Sequence, residues 1–163
     1  MTRTLSHNYC CDDVRRNDYN LYLLHFFMPR QNRRNALALM AMHVELNAIA
    51  MKSTDPMIRL IRLKWWGDEV EKITSGNPHA DSPVLDEVET ILSCSTLKFD
   101  NYFDQFEKSF RDELCDVDEA FYDILTSLIH NEKAKSKFIK KLMLHDQLGD
   151  DVSLRAFRLL FGV

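Results

Sequence analysis

The chain has 163 residues and a formal charge of −4, from 21 basic and 25 acidic residues. Its apolar fraction of 45% and charged fraction of 28% are those of a globular protein and exclude a disordered or fibrous chain. The basic residues are scattered, which excludes a nucleic-acid footprint, and no run of about 18 uncharged apolar residues is present to span a bilayer.

Four Gly and four Pro leave little turn chemistry for many short strands, so long helices are expected. The length predicts a single helical domain over 1–163. Cys10, Cys11, Cys94 and Cys115 fit no zinc spacing and read as reduced thiols. The opening MTRTLSHNYCCDD has no apolar core of a secretory signal, so a cytoplasmic compartment is expected.

In chain order, residues 1–11 read as a frayed end, followed by a helix from Asp12 or Asp13 to Met28 that Pro29 stops. A second helix is predicted from Arg33 to Met51. Leu37, Met40, Ala41, Val44, Ala48 and Ile49 form one face, and Ala36, Leu39, Met42, Leu46 and Ala50 fill most of the rest. A helix apolar nearly all round is a central one, so its His43, Glu45 and Asn47 must find partners or line a cavity. Asp55-Pro56 is a strong start for a third helix, with Gly76 its stop. Leu60, Leu63, Trp66, Val70 and Ile73 form its stripe, flanked by Ile58, Ile61 and Trp65. After the loop 75–83, helices are expected at about Val84–Ser93, Asp100–Leu114, from near Asp118, at Lys133–Leu148 and at Leu154–Phe161.

The stretches NDYNLYLLHFFMP, RRNALALMAMHVEL, DPMIRLIRLKWWGDEVEKI and HADSPVLDEV, in this order and spacing, resemble the squalene/phytoene synthase family over about residues 12–88. Residues 89–163 read as a divergent helical part. Glu45-Leu46 and the run Arg62-Leu63-Lys64-Trp65-Trp66-Gly67-Asp68 look most like a side branch that includes mitochondrial factors assisting respiratory complex I assembly. The resemblance implies an all-α fold, a reduced isoprenoid-synthase-like helical bundle around the buried second helix.

It also implies a chemistry. Head-to-head prenyl synthases ionise an allylic diphosphate with Mg²⁺, held by aspartates four apart on two facing helices. The positions matching the first such motif are Asn47, a neutral amide, and Met51, a poor Mg²⁺ ligand. Glu45 points about 200° around the helix from Asn47 and does not replace the missing carboxylate. No second motif can be matched. Asp112 and Asp116 share the spacing, as do Asp100 and Asp104, but they lie outside the family pattern and read as exposed helix-face charges. Arg33 and Arg34 match a family position near the diphosphate site. Arg59, Arg62, Trp65, Trp66 and Asp68 are the remaining candidates for a cavity or partner surface. His43 reads as a satisfied buried histidine.

The resemblance therefore implies a family protein that binds a protein partner or an isoprenoid or lipid without catalysis and without a cofactor, with respiratory complex assembly as the expected setting. Peripheral membrane contact stays open, and the compartment is a bacterial cytoplasm or, in a eukaryote, the mitochondrial matrix. Two alternatives remain: a prenyl-diphosphate transferase with a reorganised Mg²⁺ site, in which Asp112 and Asp116 would serve, and a plain helical interaction module.

Overall fold

The structure, a computed structural model, describes residues 3–93 and 95–142. The described residues are helical with no strand. They form α1 (Arg3–Asn17), α2 (Tyr19–Leu24), two single 3₁₀ turns (His25–Phe27 and Arg30–Asn32), α3 (Arg33–Lys52), α4 (Pro56–Thr74), α5 (Pro83–Leu92), α6 (Asp100–Phe110) and α7 (Val117–Ser127). Residues 132–142 add α8. The helix expected at Leu154–Phe161, the end of the one expected at Lys133–Leu148, and Cys94 lie outside the described residues.

The expected central helix is α3. Residues 36–44 form an unbroken buried run, and Leu46 and Ile49 extend it, so eleven of its twenty residues are enclosed. A helix enclosed on every face needs neighbours on every side, and α1, α2, α4, α5 and α7 all pack on it. Phe138 and Leu142 of α8 join the same core.

The chain before Pro29 departs from expectation twice. Residues 3–11 are not frayed: they belong to α1, which lies against α3 and α5. Its inner line is Ser6, Cys10 and Val14, one residue per turn and all fully buried. These small side chains carry little apolar signal, yet they bring backbones close. Ser6 Oγ donates to Asp86 Oδ2 at 2.8 Å and Cys10 Sγ lies 3.9 Å from the Pro83 carbonyl. Burial pushes the Cys10 thiol up to about 12, so it is inert packing. The helix expected to run from Asp12 or Asp13 to Met28 is broken at Asp18, which leaves helical geometry (φ −146°, ψ 90°) and accepts a bond from Leu21 N at 2.8 Å. A short carboxylate that satisfies an orphan N–H favours ending one helix and starting another over continuing.

The α4 boundaries match the sequence signals. Asp55 caps Met57 N at 2.8 Å, and Pro56 sits in the first turn, where no N–H is needed. At the other end Gly76 takes φ 71°, and Asn77 N reaches back to Lys72 O at 2.8 Å, a Schellman stop. The following loop is tied down by Glu69, which is buried on α4 and accepts from Lys72 Nζ at 2.6 Å and from Ala80 N at 2.7 Å.

α6 stops four residues before the expected Leu114. Asp112 adopts φ 56°, Asp112 N bonds Ser109 O at 3.2 Å and Glu113 N bonds Lys108 O at 2.9 Å. This is again a Schellman stop, with an aspartate where glycine is usual, an exchange that a short polar side chain tolerates. Asp116 then caps α7 by accepting from Glu119 N at 2.8 Å.

Candidate functional site

A buried polar cluster joins α3 to α6. Asn47 Nδ2 donates to His43 Nε2 at 2.9 Å, which places the ring proton on Nδ1, facing the Tyr102 hydroxyl at 2.9 Å. The imidazole stacks on Phe121 with ring centroids 4.1 Å apart. Burial lowers the His43 pKa to about 4, so the ring is neutral at pH 7. Its 3.9 Å approach to Asp118 is then not an ion pair. Burial also raises the Tyr102 hydroxyl well above its ordinary value. Asn47 is thus engaged in holding a core histidine. Met51, one turn further, is 88% exposed at the end of the helix.

The arginines predicted near a diphosphate take fold-bearing roles. Arg33 donates to two carbonyls of the preceding 3₁₀ segment, Met28 O at 3.2 Å and Phe26 O at 2.8 Å, with its guanidinium 5.8 Å from the Phe26 ring centroid. Arg34 forms a two-pronged pair with Glu87 on α5, at 2.9 and 2.8 Å. Glu87 is buried, and this bonding raises the Arg34 pKa further. Arg59 donates to Ser53 O at 2.7 Å and so braces the α3–α4 turn.

Four of the predicted residues do meet. Glu45 from α3 and Arg62, Trp65 and Trp66 from α4, with Ile49 and Lys52, line a notch of about 220 Å³. Trp66 is buried at 7% exposure while Trp65 stands 42% exposed, with the two rings edge to face at 5.4 Å. The Tyr9 hydroxyl reaches Glu45 Oε1 at 3.5 Å. Burial raises the Tyr9 pKa, and the charge of Glu45 adds to the effect. No ion pair joins Arg62 to Glu45, Asp68 or Glu69 among the described residues; Glu69 takes Lys72 instead.

Asp68 faces elsewhere. It lines an open groove of about 920 Å³ between α4 and α6. Leu60, Leu63, Val70, Phe99 and Phe103 supply apolar surface to this groove, and Met57 and Ile61 stand at it 65% and 63% exposed. With Ile58 and Trp65 also exposed, the first half of α4 presents large apolar side chains to solvent along one contiguous side, about 100° wide. A scattered exposed leucine needs no explanation, but a contiguous apolar helix surface marks a contact site.

Asp112 and Asp116 are not on a helix face as expected. They occupy the α6–α7 turn, the one at a helix stop and the other as a helix cap, because the chain turns between them. Among the described residues no group of three or more histidine, cysteine, aspartate or glutamate side chains is placed to hold a metal. The donors in hand do not fit Mg²⁺: Asn47 offers an amide committed to His43, Met51 a thioether, and Asp116 a carboxylate committed to a helix cap.

Sequence reading missed Ile49 and Lys52 in the notch and the α6 wall of the groove. The first two are visible only as residues one and two turns on from Glu45 on α3. Asp100, Asp104 and Glu107 repeat once per turn, and that periodicity was the available signal.

The family model described as Squalene/phytoene synthase matches residues 14–123. Among curated relatives, NADH dehydrogenase (ubiquinone) complex I, assembly factor 6 of Bos taurus is 37% identical over 70 residues, covering 43% of this chain and 21% of that protein. The Homo sapiens protein of that name is 34% identical over 71 residues, covering 44% and 21%. The Drosophila melanogaster homolog is 34% identical over 85 residues, covering 49% and 25%. The chain thus matches about a fifth to a quarter of the length of these relatives. No solved structure matches the chain. With the family model matching more than half of its residues, the chain belongs to the squalene/phytoene synthase family.

Proposed function

We propose that this chain works by binding rather than by catalysis, as an assembly-factor-like member of its family that holds a protein partner or an isoprenoid or lipid and assists assembly of a respiratory complex. The observation that carries this reading is the exposed apolar surface of α4, where Met57, Ile58, Ile61 and Trp65 stand in water within the matched region. Such a surface is what a hot-spot contact needs. Ionising an allylic diphosphate instead requires divalent charge held beside the leaving oxygens by carboxylates fixed on facing helices. The degenerate first motif, with Asn47 turned to His43 and Met51 exposed at the helix end, supplies none. Relatives named as complex I assembly factors in cattle, human and fly support placing the chain where respiratory complexes are built: the mitochondrial matrix in a eukaryote, the cytoplasm in a bacterium. No described helix is long and apolar enough to cross a membrane, so any membrane contact made by these helices is peripheral.

The test is genetic and biochemical. Deleting the gene should lower the amount of assembled complex I on native gels. The native chain should restore it, while Ile61→Asp, which places a charge on the exposed face without disturbing the core, should not. Complex I levels indifferent to the deletion contradict the reading.

A further inference from the structure

We infer that the groove between α4 and α6 docks an amphipathic helix of a partner polypeptide whose apolar stripe is flanked by lysine and arginine. The inference rests on the binding reading above and chooses among its ligands by charge. The floor is apolar, formed by Leu60, Leu63, Phe99 and Phe103. The walls are mainly acidic. On α6, Asp100, Asp104 and Glu107 recur once per turn, and on α4 Asp68 and Glu71 do the same. Glu107 is neutralised by Arg111 at 2.8 Å. Asp68, Glu71, Asp100 and Asp104 form no ion pair among the described residues, and Lys64 and Lys98 are the other cations on the lining.

This balance disfavours a diphosphate or an anionic lipid headgroup, either of which would meet four unpaired carboxylates. It favours a cationic occupant with an apolar body. The one-per-turn spacing of the carboxylates, about 5.4 Å along each wall, matches the spacing of basic residues three or four apart on a helix lying between α4 and α6. Gly67 supplies the room. It lines the groove midway along α4, and a Cβ built there meets nothing within 4 Å, so a docked helix can approach the α4 backbone closely. Exposed Met57 and Ile61 lie at the α4 edge of the same groove, where the apolar stripe of the occupant would end.

The test uses the full chain and two synthetic amphipathic peptides, each about 18 residues long and sharing one leucine stripe. One carries lysine on both flanks and the other glutamate. Fluorescence anisotropy should show the lysine peptide binding at least about tenfold more tightly, with the preference shrinking at high salt and in the Asp68→Asn, Asp104→Asn double variant. Gly67→Leu, whose side chain would project into open groove from a helix that favours leucine over glycine, should keep the fold and weaken binding by at least about tenfold. Thermal melting checks that it stays folded. Equal binding of the two peptides, or binding untouched by Gly67→Leu, overturns the inference. So does a dimer that Ile61→Asp dissociates, which would make a second copy the occupant. So does lysine-peptide binding that appears only after Phe157→Asp and Leu160→Asp, which would make the chain's own end the occupant. The binding reading stands or falls separately: a complex I defect in the deletion strain with no peptide preference keeps that reading and removes this one.

Discussion

Leu39→Ala is expected to lower the free energy of unfolding by about 2–5 kcal/mol, the range for emptying a leucine site in a closed core. Leu39 is 1% exposed in the middle of the unbroken buried run of α3. Helices pack on α3 from every side, so no neighbour can move in from solvent to fill the space. A domain of this size is stable by only about 5–15 kcal/mol, so the loss is a large share of the total. Met51→Ala on the same helix is the control, because that side chain is in solvent, and it should change stability by less than about 0.5 kcal/mol. Urea midpoints of the two variants measure both effects. Equal midpoints would mean that α3 is not the enclosed element.

The second large effect is a pH dependence set by His43. The unfolded chain binds a proton at this ring with a pKa near 6.5, and the folded chain near 4, because burial penalises the charged ring. Between these values the unfolded state holds more protons, so stability falls as pH falls, and the dependence levels off below about 4. Each pH unit of displacement is worth about 1.4 kcal/mol, which makes the full loss about 3 kcal/mol. Tyr102, Asn47 and Asp118 are the polar groups around the ring. The exposed carboxylates also titrate in this range, so the signal is the difference between the native chain and His43→Gln. That difference should rise through the window and flatten below it. Parallel stability curves for the two proteins would show that His43 is not held neutral.

Much of the fold was legible because its signals are local. The α4 start is written in Asp55-Pro56 and its stop in Gly76, and α3 announces its enclosure by being apolar on nearly every face. The buried line of α1 was illegible for the opposite reason. Ser6 and Cys10 are small and weakly apolar, and only the partners they meet, Asp86 and Pro83, some eighty residues on, explain them. Asp18 lies within the helix expected from Asp12 or Asp13 to Met28, and only its cap geometry ends that helix.

Resemblance could name candidate site residues but not sort them. Arg33 and Arg34 bond the 3₁₀ segment and Glu87, while Glu45 and Arg62 converge on a notch from two different helices, α3 and α4. Which face of α4 remains uncovered depends on where α5 and α6 land, and no pattern within α4 carries that information. The aspartates at 112 and 116 show the limit of spacing arguments. A separation of four means one face only if the helix continues, and here α6 ends at Phe110, before either of them.

The central claim is that the chain binds without catalysing condensation. The most direct measurement incubates the purified protein with Mg²⁺, an allylic diphosphate and a nicotinamide reductant, and follows released pyrophosphate and hydrocarbon product. The account predicts neither above a metal-free control. It predicts the same for Asn47→Asp combined with Met51→Asp, because one restored motif still lacks the opposing carboxylates that would complete the metal site. Steady Mg²⁺-dependent turnover by the native chain, lost on changing a single carboxylate such as Glu45→Gln, would contradict it.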